Sequence, residues 1–381
     1  MEIIERKELD ALFSVLQKTG YTTVGPTVRD GVIVYDEISD SANLPAGWVD
    51  EQDAGYYRAT KTSDQFLFGY TLSPHSWKKF LYPPKMTLFK AKKLAKGFEI
   101  LEPSNGKSRP SENIKYALIG VRPCELAAIK IQDAVFSGGS YIDPAYKKRR
   151  DEAFIIVVNC SRAGGTCFCT SMKTGPSATS GFDLALTEIC DDNRHYFVIE
   201  SGSPKGNDIL KSIPTAAASK ENEERMRKIH ETFPREITRT LDTTGIKELL
   251  QQNVDHPRWN EVAARCLTCA NCTLVCPTCF CSTVEDVTNL TGAEAERIKM
   301  WDSCFTMDFA KVVGGNFRPS ARARYRQWLT HKFANWIDQF GTSGCVGCGR
   351  CITWCPARID VTEEIRAICK KPILETNIEK G

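Results

Sequence analysis

Seventeen of the 381 residues are cysteine, and eight of them obey one repeated pattern. Cys266-x2-Cys269-x2-Cys272-x3-Cys276-Pro277 recurs as Cys345-x2-Cys348-x2-Cys351-x3-Cys355-Pro356. Three thiolates at three-residue steps can wrap a loop around one iron–sulfur cubane, each taking an iron corner. The fourth cysteine, on the next helical turn and trailed by proline, reaches across to the other cluster in two-cluster ferredoxins. The pattern predicts one [4Fe–4S] cluster on Cys266, Cys269, Cys272 and Cys355, and a second on Cys345, Cys348, Cys351 and Cys276. Structural zinc prefers two C-x2-C knuckles that face each other, unlike these tight four-cysteine runs. The five histidines, His75, His195, His230, His256 and His331, are scattered and poorly supply a Cys/His zinc framework.

A second group of thiols lies far upstream. Cys124 follows the apolar run YALIGV, and Cys160 ends the apolar run AFIIVVN. If these runs are parallel neighbours, both thiols stand at the carboxyl edge of one sheet, where α/β folds keep their ligand sites. Cys167 and Cys169, in the glycine-containing loop RAGGTCFCT, are placed to fold back over that edge. The quartet is a candidate third [4Fe–4S] site, with a zinc site or four structural cysteines as the competing readings. Cys279, Cys281 and Cys304 lie between the two C-terminal motifs without a visible fourth. The readings are another cofactor site, tuning of the nearby cluster through S–H contacts, or small buried hydrophobes, and the incomplete set favours the last.

The elements that must carry these thiols can be outlined from pattern. A helix is expected over Lys7 to Lys18, then short strands such as GVIVYDEI. Pro83 and Pro84 precede MTLFKAKK, which marks a loop leading into an edge strand. YALIGV (116–121), the helical ELAAIKIQDAVF (125–136) and AFIIVVN (153–159) form a strand–helix–strand unit, so the two strands should be parallel. A hairpin is expected around HYFVIES, followed by a polar linker. From Lys220 to about Ala264 the pattern is helical and highly charged. The expected fold is α+β. An N-terminal α/β domain (1–215) holds the βαβ unit, a helical connection spans 216–264, and a helical dicluster ferredoxin-like domain (265–381) carries an insertion at 278–344.

Composition excludes several classes. A net charge of +3, from 50 Lys+Arg against 47 Asp+Glu, marks neither nucleic acid nor an anionic membrane as partner. No run approaches the roughly 20 apolar residues of a membrane span, and the charged amphipathic start is unlike a signal peptide. A cytoplasmic location is expected, where dense cysteine more often means metal or redox chemistry than disulfides. No G-x-G-x-x-G after a strand, Walker A sequence or lipase-type G-x-S-x-G occurs, so flavin, nucleotide and any [NiFe] centre belong to other chains. The segment NFRPSARARYRQWLTHKF (316–333) interleaves Arg318, Arg322, Arg324, Arg326 and Lys332 with aromatics. It reads as an amphipathic helix docked on the cluster domain rather than a nucleic-acid site.

The blocks HPRWNEVAARCLTCANCTLVCPTCFCSTVEDVTNL, MWDSCFTMDFAKVVGGNFRP and GCVGCGRCITWCPARI resemble the β subunit of cytoplasmic NAD(P)-linked [NiFe] hydrogenases, or sulfhydrogenases. The same family includes the corresponding iron–sulfur subunit of the anaerobic sulfite reductase. Upstream, YPPKMTLFK, IGVRPCELAAIKIQD, VVNC, TCFC and SGFDLALTEI extend the resemblance over most of the chain after about residue 65. The resemblance implies a non-catalytic electron-transfer subunit of an oxidoreductase. It would relay electrons between a flavin/NAD(P) subunit and the small and large subunits of a [NiFe] hydrogenase. The eight cysteines of the two Cys-Pro motifs would be the cluster ligands, and the N-terminal quartet falls where family members also have cysteines. The alternative is the sulfite reductase subunit, which passes NADH electrons to a sirohaem subunit. A reading from another class is a zinc-stabilised scaffold or nucleic-acid-binding protein.

Overall fold

The computed structural model describes residues 1–71, 73–101, 114–191 and 194–369. The end of the expected C-terminal domain, 370–381, lies outside the described residues.

Alternation and apolar runs in the N-terminal half produce one eight-stranded sheet. Its order is Ala216–Ala217, Glu2–Glu5, His195–Ser201, Leu184–Cys190, Phe154–Val158, Lys115–Val121, Tyr21–Arg29 and Val32–Glu37. The strands Leu184–Cys190, Phe154–Val158, Lys115–Val121 and Tyr21–Arg29 run parallel, and antiparallel strands close both flanks. The expected strand–helix–strand unit is present, with Leu118 opposite Ile155 and the helix Pro123–Ser137 between the two strands. All five residues of Phe154–Val158 are buried, because both faces of the sheet are covered. Phe154, Ile156 and Val158 join a core with the helix Leu9–Lys18. Ile155 and Val157 join another with the helices Pro123–Ser137 and Pro144–Glu152. The hairpin around HYFVIES is also present, with Cys190 opposite His195.

One sequence expectation is corrected. Lys85–Lys93 is not an edge strand: it lies inside a second sheet, between Phe98–Leu101 and Glu294–Trp301, and Ser282–Thr288 pairs beyond. Pro83 and Pro84 precede the ladder, so their missing N–H groups cost it nothing. The pairing also shows that part of the 278–344 insertion is a β-hairpin annealed to an N-terminal strand.

The remaining C-terminal residues form a helical body. The helices Ile246–Gln252, Arg258–Arg265, Ala321–Thr330 and Val361–Cys369 share a core through Leu250, Trp259, Val262, Tyr325, Trp328, Leu329, Val361 and Ile365. The basic–aromatic segment at 316–333 thus buries Tyr325, Trp328 and Phe333 against the cysteine motifs, as its amphipathic pattern predicts. Among the described residues no helix is long and apolar enough to cross a membrane.

Candidate metal centre

Each cysteine motif begins as a loop and ends on a single helical turn, Asn271–Leu274 in the first and Arg350–Thr353 in the second. Both loops turn left-handed at the same two steps. These are Thr268 and Ala270 (φ 50° and 66°) and, in the repeat, Gly347 and Gly349 (φ 66° and 77°). Successive left-handed steps curl the chain so that its N–H groups face the first thiol. Thr268 N donates to Cys266 Sγ and Gly347 N to Cys345 Sγ, each at 3.4 Å. Glycine in the second loop serves another need as well. A Cβ at Gly347 would stand 2.6 Å from Phe168 O, and one at Gly349 would stand 2.5 Å from Thr166 O, because the loop bearing Cys167 and Cys169 presses on this motif.

The thiols of each expected set lie near one another. Cys266, Cys269, Cys272 and Cys355 line one cleft, together with Cys351 of the other motif, over Phe305, Tyr325 and Trp328. Cys345, Cys348 and Cys351 gather with Cys276 closely enough to oppose one another's ionisation. Burial, together with that mutual repulsion, pushes the Cys345 thiol up to about 12 and that of Cys351 well above the ordinary range. In the N-terminal half Cys124, Cys160, Cys167 and Cys169 also converge, and burial pushes Cys167 up to about 12. Buried thiols held together in this way ionise readily only when a metal takes up their charge, so the donor sets suit iron–sulfur clusters. Among the described residues no three Cys, His, Asp or Glu side chains are gathered tightly enough for one bare metal ion.

The three groups of thiols lie in series. Cys272 neighbours Cys276 and Cys351, joining the first group to the second. Cys348 neighbours Cys124, Cys167 and Cys169, joining the second to the third. The second junction is braced by polar contacts. Phe168 N donates to Gly347 O at 2.8 Å, Thr174 Oγ1 to Val346 O at 2.6 Å, and Thr166 Oγ1 lies 2.7 Å from Thr353 Oγ1. A buried ion pair, Arg350–Glu125 at 2.6 Å, ties the residue before Cys351 to the residue after Cys124. Tyr35 Oη (2.8 Å) and Trp77 Nε1 (3.0 Å) also donate to the Glu125 carboxylate.

Sequence reasoning missed these supports. Glu125 and Arg350 sit beside cysteines in both motifs, yet nothing local says that residues 225 positions apart will meet. The three extra thiols are also placed. Cys279 lies beside Cys276, and Cys281 beside Cys304. Lys332, singled out only as part of a basic helix, is buried beside Cys276.

Residues 265–359 match the 4Fe-4S dicluster domain family. The chain is also 32% identical over 316 residues to sulfhydrogenase 2 subunit beta of Pyrococcus furiosus, covering 81% of this chain and 88% of that one. The chain belongs to the family of sulfhydrogenase beta subunits. It is an iron–sulfur electron-transfer subunit of an oxidoreductase and takes [4Fe–4S] clusters. No solved structure matches.

Proposed function

We propose that the chain is a three-cluster relay. Cys266, Cys269, Cys272 and Cys355 hold the first [4Fe–4S] cluster, Cys345, Cys348, Cys351 and Cys276 the second, and Cys124, Cys160, Cys167 and Cys169 the third. The observation that carries the reading is the reciprocal gathering of thiols, in which Cys355 joins the first motif and Cys276 the second. Clusters at these positions would take up and release single electrons at potentials between about −700 and +450 mV, set by their surroundings. The chain's own part is to hold the thiolates, fix the spacing of the three sites and keep water from most of the sulfur atoms. Cys276 lies near Cys272 and Cys348 near Cys124, which supports placing this cluster between the other two.

On this reading residues 1–215 carry the third cluster, 216–264 connect the halves, and 265–381 carry the first two. The relay passes electrons between a flavin/NAD(P) subunit and a [NiFe] hydrogenase module, as the name of the relative and the lack of a nucleotide fingerprint in this chain both support. The test is one metal inventory on the native complex purified without oxygen. Iron with stoichiometric nickel is the expected result. Iron without nickel would remove the hydrogenase partners and leave the relay, and zinc in place of iron would overturn both.

A further inference from the structure

Lys332 is 3% exposed, and among the described residues it meets no carboxylate. It lies on a π-helical turn, His331–Asn335, that continues the helix Ala321–Thr330. Such turns recur at functional sites. Its ammonium donates to Thr278 Oγ1 at 2.9 Å and Gly344 O at 3.2 Å and stands 5.5 Å from the centre of the Trp336 ring. A buried charge without an opposite partner costs several kcal/mol, so the countercharge must come from what surrounds it. What surrounds it is sulfur. Thr278, the partner of the ammonium, stands two residues after Cys276, and Gly344 directly precedes Cys345.

Two further groups reach the same sulfur. The Thr278 hydroxyl lies 3.1 Å from Cys276 Sγ. It donates to Gly344 O at 2.7 Å, a carbonyl that Lys332 also serves, so turning its single proton to a thiolate exchanges that bond for one to sulfur. The Cys279 thiol lies beside Cys276 as well. The first motif has a buried cation nearby too, Arg324, but its hydrogen bonds go to Ser320 O and Phe305 O, and the repeat lacks the other groups. Two residues after the other bridging cysteine, Cys355, stands Ala357, and three residues after it stands the exposed Arg358. The hydrogen bonds given to Cys266 and Cys355 come from the backbone N–H groups of Thr268 and Ile359, both at 3.4 Å.

Reduction adds negative charge to a cluster, and positive charge or hydrogen bonds at its sulfurs favour the reduced form. We propose that Lys332, with Thr278 and Cys279, holds the reduction potential of the cluster on Cys276, Cys345, Cys348 and Cys351 above that of the cluster on Cys266, Cys269, Cys272 and Cys355. The proposal rests on the cluster assignment above. Electrons reaching this pair then rest on the middle site of the relay, next to the N-terminal thiols.

The experiment is a dithionite titration of the full-length, anaerobically loaded chain, followed by electron paramagnetic resonance, with iron counted in parallel. The signal missing from Cys351→Ser marks the middle cluster. Lys332→Met should shift that signal alone to a more negative midpoint, while Lys332→Arg keeps it near the parent value. Thr278→Val and Cys279→Ala should each move it the same way by less. Full iron with unmoved midpoints in Lys332→Met, or an equal shift in both C-terminal signals, would overturn the proposal. If Lys332→Met fails to hold its iron, unmoved midpoints in both Thr278→Val and Cys279→Ala overturn it instead. A parent chain that holds no iron would defeat the cluster assignment, a different result from a loaded chain that ignores Lys332.

Discussion

Replacing Glu125 by leucine tests the joint between the two halves of the molecule. Glu125 and Arg350 each have side chains 1% exposed, so solvent cannot take over the charge left behind. Removing one partner of a buried pair costs about 3–5 kcal/mol, because the other charge stays buried. Four donors lose their acceptor at once: the Arg350 Nη2 group, the Tyr35 hydroxyl, the Trp77 indole N–H and the Arg122 backbone N–H. Arg350 keeps its Nε bond to Ser73 O at 2.8 Å, which limits its escape. The upper half of the range is therefore expected, roughly 4–5 kcal/mol, or about a thousandfold in the ratio of folded to unfolded chain. Urea unfolding of the anaerobic chain, followed by tryptophan fluorescence, reads this directly. The double change Glu125→Leu with Arg350→Met should recover most of the loss, since it removes both charges. A loss below about 1 kcal/mol in Glu125→Leu, or a double variant no more stable than the single, would refute the reasoning.

Two other outcomes follow from the same geometry. Cys272→Ala should lower bound iron by one cluster and remove one paramagnetic signal, leaving the N-terminal cluster loaded; unchanged iron would show that Cys272 is not a ligand. Gly349→Ala should cost about 1–2 kcal/mol for its left-handed backbone and about 1–3 kcal/mol more for crowding Thr166 O. Gly31→Ala, with φ 73° and nothing within 4 Å of the added carbon, should cost only the first part. Equal melting temperatures for the two variants would mean that the 166–169 loop is not pressed against the second motif.

Much of the site was legible because cluster binding is a local act. A cubane fixes the spacing of three thiolates within one loop, so Cys266, Cys269 and Cys272 announce themselves, as do Cys345, Cys348 and Cys351. The exchange of Cys276 and Cys355 is expected on the same ground, since the proline-trailed fourth cysteine of such motifs ligates the other cluster. Apolar runs too short for helices likewise marked Lys115–Val121 and Phe154–Val158 as parallel strands. The N-terminal quartet was legible only through that topology, because its members come from two strand ends and a loop.

What the sequence left open depends on which distant groups share a neighbourhood. Proline before MTLFKAKK spoke for an edge strand, yet a hairpin more than 180 residues later pairs with it, and local proline chemistry is silent about such a partner. Lys332 reads as one more cation of a basic helix until the π-helical turn and the packing of Trp336 place it among thiols. Glu125 and Arg350 read as ordinary helix residues until both are buried face to face. Ligand identity follows from covalent spacing along the chain, which the sequence carries by itself. The charge around the ligands follows from burial and long-range contact, which only the tertiary structure decides, because a side chain's effective dielectric is set by everything packed against it.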